Sequence, residues 1–345
     1  MPFFFWQKKH ILGNKKFKTK KNINSVFVRV PAKLILSGEH SVVYNSKAVI
    51  CAINIFLNVK IKKLSQPKII IKDGKNVRKT LLIDFSMEHK NNDVILEIIR
   101  RFFDKKKFPI SGMKITIKNS IPIGCGLGSS SALVAGIVFG ISELFDNEKN
   151  TTELLQLATN IENIFHGKSS GVDIKTVVKG GMIYLDKNNV KKIAHQIDEI
   201  WIVNTGCPSF STKSVVMDIF DNFASSSKLW YEMGEITSDV ANIMTSKEKV
   251  YKKIAHNESL LEKLGVVIPS VKKFIDNLKT KEIYGKVCGA GTIARKEQNG
   301  GNGIVGIFQT LTKEQKKYLF SLCKKNNFGI RKVYISNAGL TIFSK

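Results

Sequence analysis

Three short stretches of this chain hold residues whose types and spacing could do chemistry. Residues 121–136 read IPIGCGLGSSSALVAG, with Gly124, Gly126 and Gly128 at alternate positions, then Ser129, Ser130 and Ser131 and an apolar run. Glycine is costly to order, and a plain turn needs only one. The three serines stand where a helix N-cap belongs, and residues 132–145 are apolar nearly all round, which predicts a buried helix. A helix amino terminus carries unpaired N–H groups and a partial positive charge, and a glycine loop before it lets the backbone wrap an anion. Phosphate is the natural occupant; the bland alternative is a glycine-rich turn into a core helix. No lysine follows as in a GxxxxGK[ST] loop and the GxGxxG spacing is absent, so the stretch asks for a different nucleotide-binding design.

The second stretch, residues 31–49 (PAKLILSGEHSVVYNSKAV), sets Lys33, Glu39 and His40 between two strand-like runs. In the third, residues 161–185, Glu162 and His166 are four apart on a helix that should end at Gly167, and a loop then delivers Asp173 eleven residues after Glu162. Two carboxylates at a helix end and the following loop could bind Mg²⁺ and orient a hydroxyl. Taken singly, each of these groups also reads as a solvent-facing charge or part of a capped helix.

The elements that must position these residues are mixed. Residues 26–30 and 48–61 are rich in Val, Ile and Phe, and residues 113–118 (MKITIK) alternate strictly, as half-buried strands do. Residues 150–165 carry apolar side chains at helical spacing behind Thr151 and Thr152 as candidate caps, and residues 226–278 are amphipathic in pieces. Near the end, RKVYISNAGLTIF reads as a hairpin around Asn337, Ala338 and Gly339. Strands, then helices, then returning strands predict an α+β architecture in two lobes, with a boundary near residues 190–205 behind the polar break at 186–192.

Composition narrows the function classes. The chain has 345 residues, 43% of them hydrophobic, and a net charge of +27. That charge is mostly lysine; only Arg29, Arg78, Arg100, Arg101, Arg295 and Arg331 are arginines. Planar, bidentate recognition of nucleic acid favours arginine, and aromatic residues are not interleaved with basic patches, so an RNA-binding reading is the weaker one. Five cysteines, far apart and without a CxxC pair, argue against a zinc site and a disulfide framework and for a reducing compartment. Residues 1–25 hold seven lysines and no acid, and read as a solvated basic tail. No run approaches the 18 or so apolar residues of a membrane span.

Together the three stretches resemble the motifs of the GHMP kinases. PAKLILSGEHSVVY resembles the family's first motif, GLGSSSA its second, and KVCGAG (residues 286–291) the start of its third, so the resemblance runs from about residue 28 to the end. GEHSVV, with IFHGKSSGVD downstream, is most similar to the mevalonate kinase branch. The resemblance implies an α+β, two-lobed fold: a tail over 1–25, an N-terminal ATP-binding α/β lobe over 26–195 like that of ribosomal protein S5, and a C-terminal α/β lobe over 196–345. It implies a cytoplasmic, ATP- and Mg²⁺-dependent kinase acting on the hydroxyl of mevalonate in isoprenoid-precursor synthesis. No nucleic-acid partner and no stable membrane insertion are implied, and a homodimer is left open. Phosphomevalonate kinase, another small-molecule kinase of the family, and a nucleotide-binding relative without catalysis remain as alternatives.

Roles follow from the same resemblance. Gly124, Gly126, Leu127, Gly128 and Ser129–Ser131 would hold the nucleotide phosphates, and Ser130 with Glu162 would coordinate Mg²⁺. Asp173 would accept the hydroxyl proton and Lys33 would stabilise the charge that develops. Glu39, His40, Asp173, Thr212, Gly289 and Ala290 would lie in the substrate region. One departure stands out: after GAG the chain runs through TIARKEQNGGNG before IVGIF, so the loop is longer and a second glycine group, Gly300, Gly301 and Gly303, either shares the task or changes the nucleotide contacts.

Overall fold

The computed structural model describes residues 23–41, 47–73, 76–82, 93–107, 109–146, 150–166, 171–187, 189–223, 228–245, 250–297 and 300–344. The basic tail up to residue 22, residues 42–46 of the first motif, residues 167–170 and the side chain of His166 lie outside the described residues.

Alternating burial builds the first sheet. In β1 (Ser25–Ser37) Val26, Val28 and Val30 point into the core while Phe27 and Arg29 face out, and from Pro31 onward both faces are covered. β2 (Lys47–Lys63) is long enough to serve two neighbours: Leu57–Lys63 pairs with β5 (Met113–Asn119), and Lys47–Cys51 pairs with β6 (Met182–Asp186). β3 (Lys68–Asp73) runs parallel to β5 and antiparallel to β4 (Asn76–Leu82), and β7 (Asn189–Ile193) closes a hairpin with β6. The last strand, β12 (Thr341–Ser344), returns to pair with β1, giving the path β12-β1-β2-β5-β3-β4 with β6 and β7 off β2. A second, antiparallel sheet has the order β11-β8-β10-β9, from β8 (Ile200–Asn204), β9 (Gly285–Cys288), β10 (Ile304–Ile307) and β11 (Gly329–Val333).

Helices α1 (Val94–Lys106), α2 (Ser129–Phe145), α3 (Thr151–His166) and α4 (Val172–Lys179) go with the first sheet. α2 lies directly on β1 and β2, which explains why the stretch after its serine turn is mostly apolar. Of the later helices, α5 (Thr212–Asn222), α6 (Lys228–Ile243), α7 (Val250–Lys263), α8 (Pro269–Lys279) and α9 (Lys313–Lys325), the last three pack on the second sheet, while α6 packs on α7 and on β1 and β2, and α7 also touches β1. The expected α+β architecture is therefore what the chain adopts. Among the described residues no helix is long and apolar enough to cross a membrane.

Four local expectations change. The serines do not cap α2: Gly128, in a left-handed conformation, is its N-cap, and residues 129–131 form the first turn. The cap of α3 is Asn150, whose side chain accepts from the N–H groups of Thr152 and Glu153 at 3.0 and 3.2 Å. Asp173 is not in a loop but in the first turn of α4. The terminal hairpin does not form, because β11 pairs with β8 in the second sheet while β12 pairs with β1 in the first. Local turn residues could not reveal that the two strands serve different sheets.

Candidate active site

The glycine loop ends in a helix terminus that no side chain caps. Gly128 closes the loop at φ 73°, and the first turn of α2 contains no acidic residue. Gly128 as N-cap brings no side-chain acceptor to the N–H groups of this turn, and with the helix dipole behind them they favour an anion. Asn119 donates to the hydroxyl of Ser129 at 3.0 Å, while the buried hydroxyl of Ser131 donates to the buried carboxylate of Glu162 from α3. Ser130 stands between them in the same turn.

Lys33 is threaded beneath this loop. Its backbone N–H donates to the carbonyl of Leu127 at 3.0 Å, tying β1 to the loop. Its alkyl stem passes so close to Gly128 that a Cβ there would lie 2.6 Å from Lys33 Cγ. The ammonium emerges on the other side, 2.9 Å from Oδ2 of Asp173. The lysine side chain is 5% exposed and the aspartate 27%, so a buried cation supports a carboxylate that opens outward. Asp173 also sits in the first turn of α4, where the helix dipole favours negative charge.

The third motif packs against both. A Cβ on Gly126 would fall 2.5 Å from the carbonyl oxygen of Cys288 and 3.4 Å from the Cα of Gly289, so only glycine lets the two backbones touch. His40 reaches Ala290: Nε2–H donates to its carbonyl at 3.1 Å, which fixes the tautomer because a carbonyl only accepts. Burial pulls the imidazole down to about 4, against the pull of the Ala290 carbonyl, so His40 is neutral at pH 7. The second glycine group closes the same seam: the Gly303 Cα sits against the carbonyl of Cys125, and the N–H of Gly303 donates to Gly206 at 2.8 Å. The long segment before it is held by Glu297, which accepts from Ser209, Thr292 and the N–H of Gly300.

Glu39 points into a buried polar network. Its carboxylate pairs with the ammonium of Lys286 on β9 and accepts from the amide of Asn257 on α7 at 3.3 Å. Asn257 in turn accepts from Ser37 at 2.8 Å, and Ser37 shares a hydrogen bond with Thr237 of α6. Burial, the largest single influence, acts to lower the pKa of Lys286, but the charges of Glu39, Cys288 and Glu258 and the hydrogen bond to Glu39 together outweigh it, and the ammonium is held above its ordinary range. Glu258, the next residue on α7, accepts from the N–H of Val287 at 2.8 Å, and burial pushes its carboxyl up to about 8 against the pull of Lys286. This network joins the end of β1 to α6, α7 and β9 at the floor of the seam. Thr212 is the exposed first residue of α5.

The model for the GHMP kinases N terminal domain matches residues 93–181, the segment carrying the glycine loop, Glu162 and Asp173. The chain is 27% identical to a mevalonate kinase from Archaeoglobus fulgidus over 284 residues, covering 81% of this chain and 91% of that one. It is 28% identical to a mevalonate kinase from Thermococcus sibiricus over 293 residues, 77% of this chain and 86% of that one. The solved mevalonate kinase of Methanococcus jannaschii superposes with a TM-score of 0.76 at 25% identity, covering 90% of this chain and 98% of that chain. Residues 93–181 therefore match a GHMP kinase domain, and most of the chain is similar to mevalonate kinases. The three motifs converge, and each pair of them is joined by a contact to backbone: Lys33 N–H to the Leu127 carbonyl, Gly126 against Cys288, and the His40 imidazole to the Ala290 carbonyl.

Sequence reasoning about this chain missed Lys286, Asn257 and Glu258. A signal existed: on α7 the buried stripe runs Ile254, Asn257, Glu258, Leu261, so two polar residues occupy core positions. Lys286 likewise stands alone in a four-residue strand that is buried throughout.

Proposed function

We propose that this chain transfers the γ-phosphoryl group of ATP to the hydroxyl of mevalonate. The observation that carries the reading is the Lys33–Asp173 pair, 2.9 Å apart, set beneath a glycine loop and an uncapped helix terminus. Phosphoryl transfer asks for positioning and charge stabilisation more than for covalent chemistry by the protein. The N–H groups at the start of α2 would hold the nucleotide's phosphates. The acceptor hydroxyl would sit at Asp173, whose carboxylate takes its proton as the oxygen attacks the γ-phosphorus and ADP leaves. The Lys33 ammonium stays fixed beside the reacting oxygen because its stem is clamped at Gly128, so it needs little reorganisation as charge builds.

Among the described residues no three His, Cys, Asp or Glu side chains gather into a closed metal cage. A single carboxylate, Glu162, lies against the serine turn of α2. That donor set fits Mg²⁺, which keeps several waters and takes its other ligands from substrate phosphates. Ser130 and Glu162 would hold the ion, and it would supply neutralisation of phosphate charge. Glu39 supports the reading indirectly: with Lys286 and Asn257 it fixes the turn that carries His40, and would shape the acceptor side of the seam.

The test is turnover of the purified chain with ATP and Mg²⁺ against mevalonate, phosphomevalonate, galactose and homoserine, with ADP release and ³¹P NMR of the product as readouts. Mevalonate should be the preferred acceptor. Preference for phosphomevalonate would move the chain to the neighbouring activity, and ATP binding without transfer to any acceptor would refute catalysis.

A further inference from the structure

Two cysteines 82 residues apart in sequence meet beside the glycine loop. Cys125 lies within the loop, buried, and Cys207 is exposed on the segment between β8 and α5. Their sulfurs are 2.9 Å apart, and each is 3.5 Å from the carbonyl of Ile123. The surroundings are built tightly on both sides. The Cys207 carbonyl accepts from the N–H of Gly301 at 3.1 Å, and the Cys125 carbonyl is packed on Gly303, where an added Cβ would be 2.8 Å away.

We propose that Cys125 and Cys207 are a thiol pair that hydroperoxides oxidise to a disulfide, and that this bond lowers the affinity of the glycine loop for ATP. The second half rests on the reading of that loop as the nucleotide site. Cys207, the exposed partner, meets the oxidant first: its thiolate attacks one peroxide oxygen, the O–O bond breaks, hydroxide leaves and a sulfenic acid remains. The sulfur of Cys125 then displaces the sulfenic oxygen, which leaves with the thiol proton as water. The two sulfurs give up one electron each and the peroxide takes both. Burial pushes the Cys125 thiol up to about 12, so the exposed Cys207 and not Cys125 is the sulfur that meets the oxidant.

A disulfide is about 2.05 Å long, so the sulfurs must close by about 0.9 Å. Neither neighbour of the loop can absorb that movement, because Gly303 backs Cys125 and Cys288 backs Gly126. The open side is at Gly124, where an added Cβ would meet nothing within 4 Å. On the loop's side the displacement therefore goes toward Gly124, beside the residues read as holding the phosphates. A shift of that size is of the order that costs well-positioned catalysts heavily.

The experiment treats the full chain with hydrogen peroxide, maps peptides without reduction, and compares KM for ATP and for the acceptor before and after dithiothreitol. The expected result is a linked peptide pair containing Cys125 and Cys207, a KM for ATP raised by up to about 10²-fold, an acceptor KM nearly unchanged, and full reversal by the reductant. Bound ATP should slow the linkage. Cys207→Ser should keep the activity of the reduced enzyme and lose the sensitivity. No linked pair would overturn the modification site, and a linked protein with unaltered KM for ATP would overturn its effect. Direct ATP binding to the reduced chain separates these from failure of the nucleotide reading: if reduced protein does not bind ATP, the reading of the loop falls, and peptide mapping still decides the bond.

Discussion

Replacing Gly126 by alanine should disable nucleotide use, whereas the same change at Gly124 should be tolerated, although both residues have positive φ (84° and 75°). A non-glycine residue in that region costs roughly 1–2 kcal/mol, a penalty the two variants share. What separates them is space. At Gly124 an added Cβ meets nothing within 4 Å, while at Gly126 it falls 2.5 Å from the Cys288 carbonyl, a backbone atom that cannot rotate away. The loop and the third motif must then part by about 1 Å, in a region packed to the density of a crystal. Misplacement on that scale costs about 10²-fold in kcat/KM for ATP. Gly124→Ala should lose no more than about 5- to 30-fold, the rate equivalent of its backbone strain. The assay is ADP release at saturating acceptor with ATP varied, alongside thermal unfolding to establish that both variants fold. Equal losses would refute the idea that contact with Cys288 sets the loop's position, and would leave left-handed backbone strain as the whole effect.

Asp173→Asn should lower turnover by about 10²- to 10⁴-fold with nucleotide affinity changed by a small factor, as expected for losing an acid–base group; direct nucleotide titration beside steady-state kinetics checks it. Glu162→Gln should instead raise the Mg²⁺ concentration needed for half-maximal rate, and rescue of Asp173→Asn but not Glu162→Gln by excess Mg²⁺ would reverse the two assignments. The folded chain holds the Glu258 proton up to about 8 while the unfolded chain sheds it near 4.5. The folded state therefore binds more protons between those values, and stability falls as pH rises through them. Glu258→Gln keeps an acceptor for Val287 N–H, and urea unfolding across that window should show a flatter pH dependence than wild type. His40 has the opposite sign: its folded value of about 4 lies below 6.5, so its contribution is lost as pH falls from about 6.5 through 4. His40→Gln should remove that acid limb in the same unfolding series.

The sequence by itself determined the glycine loop and the helix behind it. Alternating glycines, a serine turn and an apolar run admit few local structures, and the physics involved, backbone freedom and helix polarity, acts over a few residues. It also carried the strands whose side chains alternate, and the motif spacing that points to a GHMP kinase. Tertiary structure alone decided which groups meet. Lys33 and Asp173 are 140 positions apart in the chain, and their 2.9 Å contact depends on β1 running under α2 so that α4 arrives beside it. Lys286, Asn257 and Glu258 look like ordinary surface chemistry until β9 and α7 bury them around Glu39, and burial is a property of the packed whole. The last strand makes the same point: its residues read as one arm of a hairpin, yet the edge of β1 was open, and hydrogen-bonding that edge to β12 satisfied more distant backbone groups than the local turn would have.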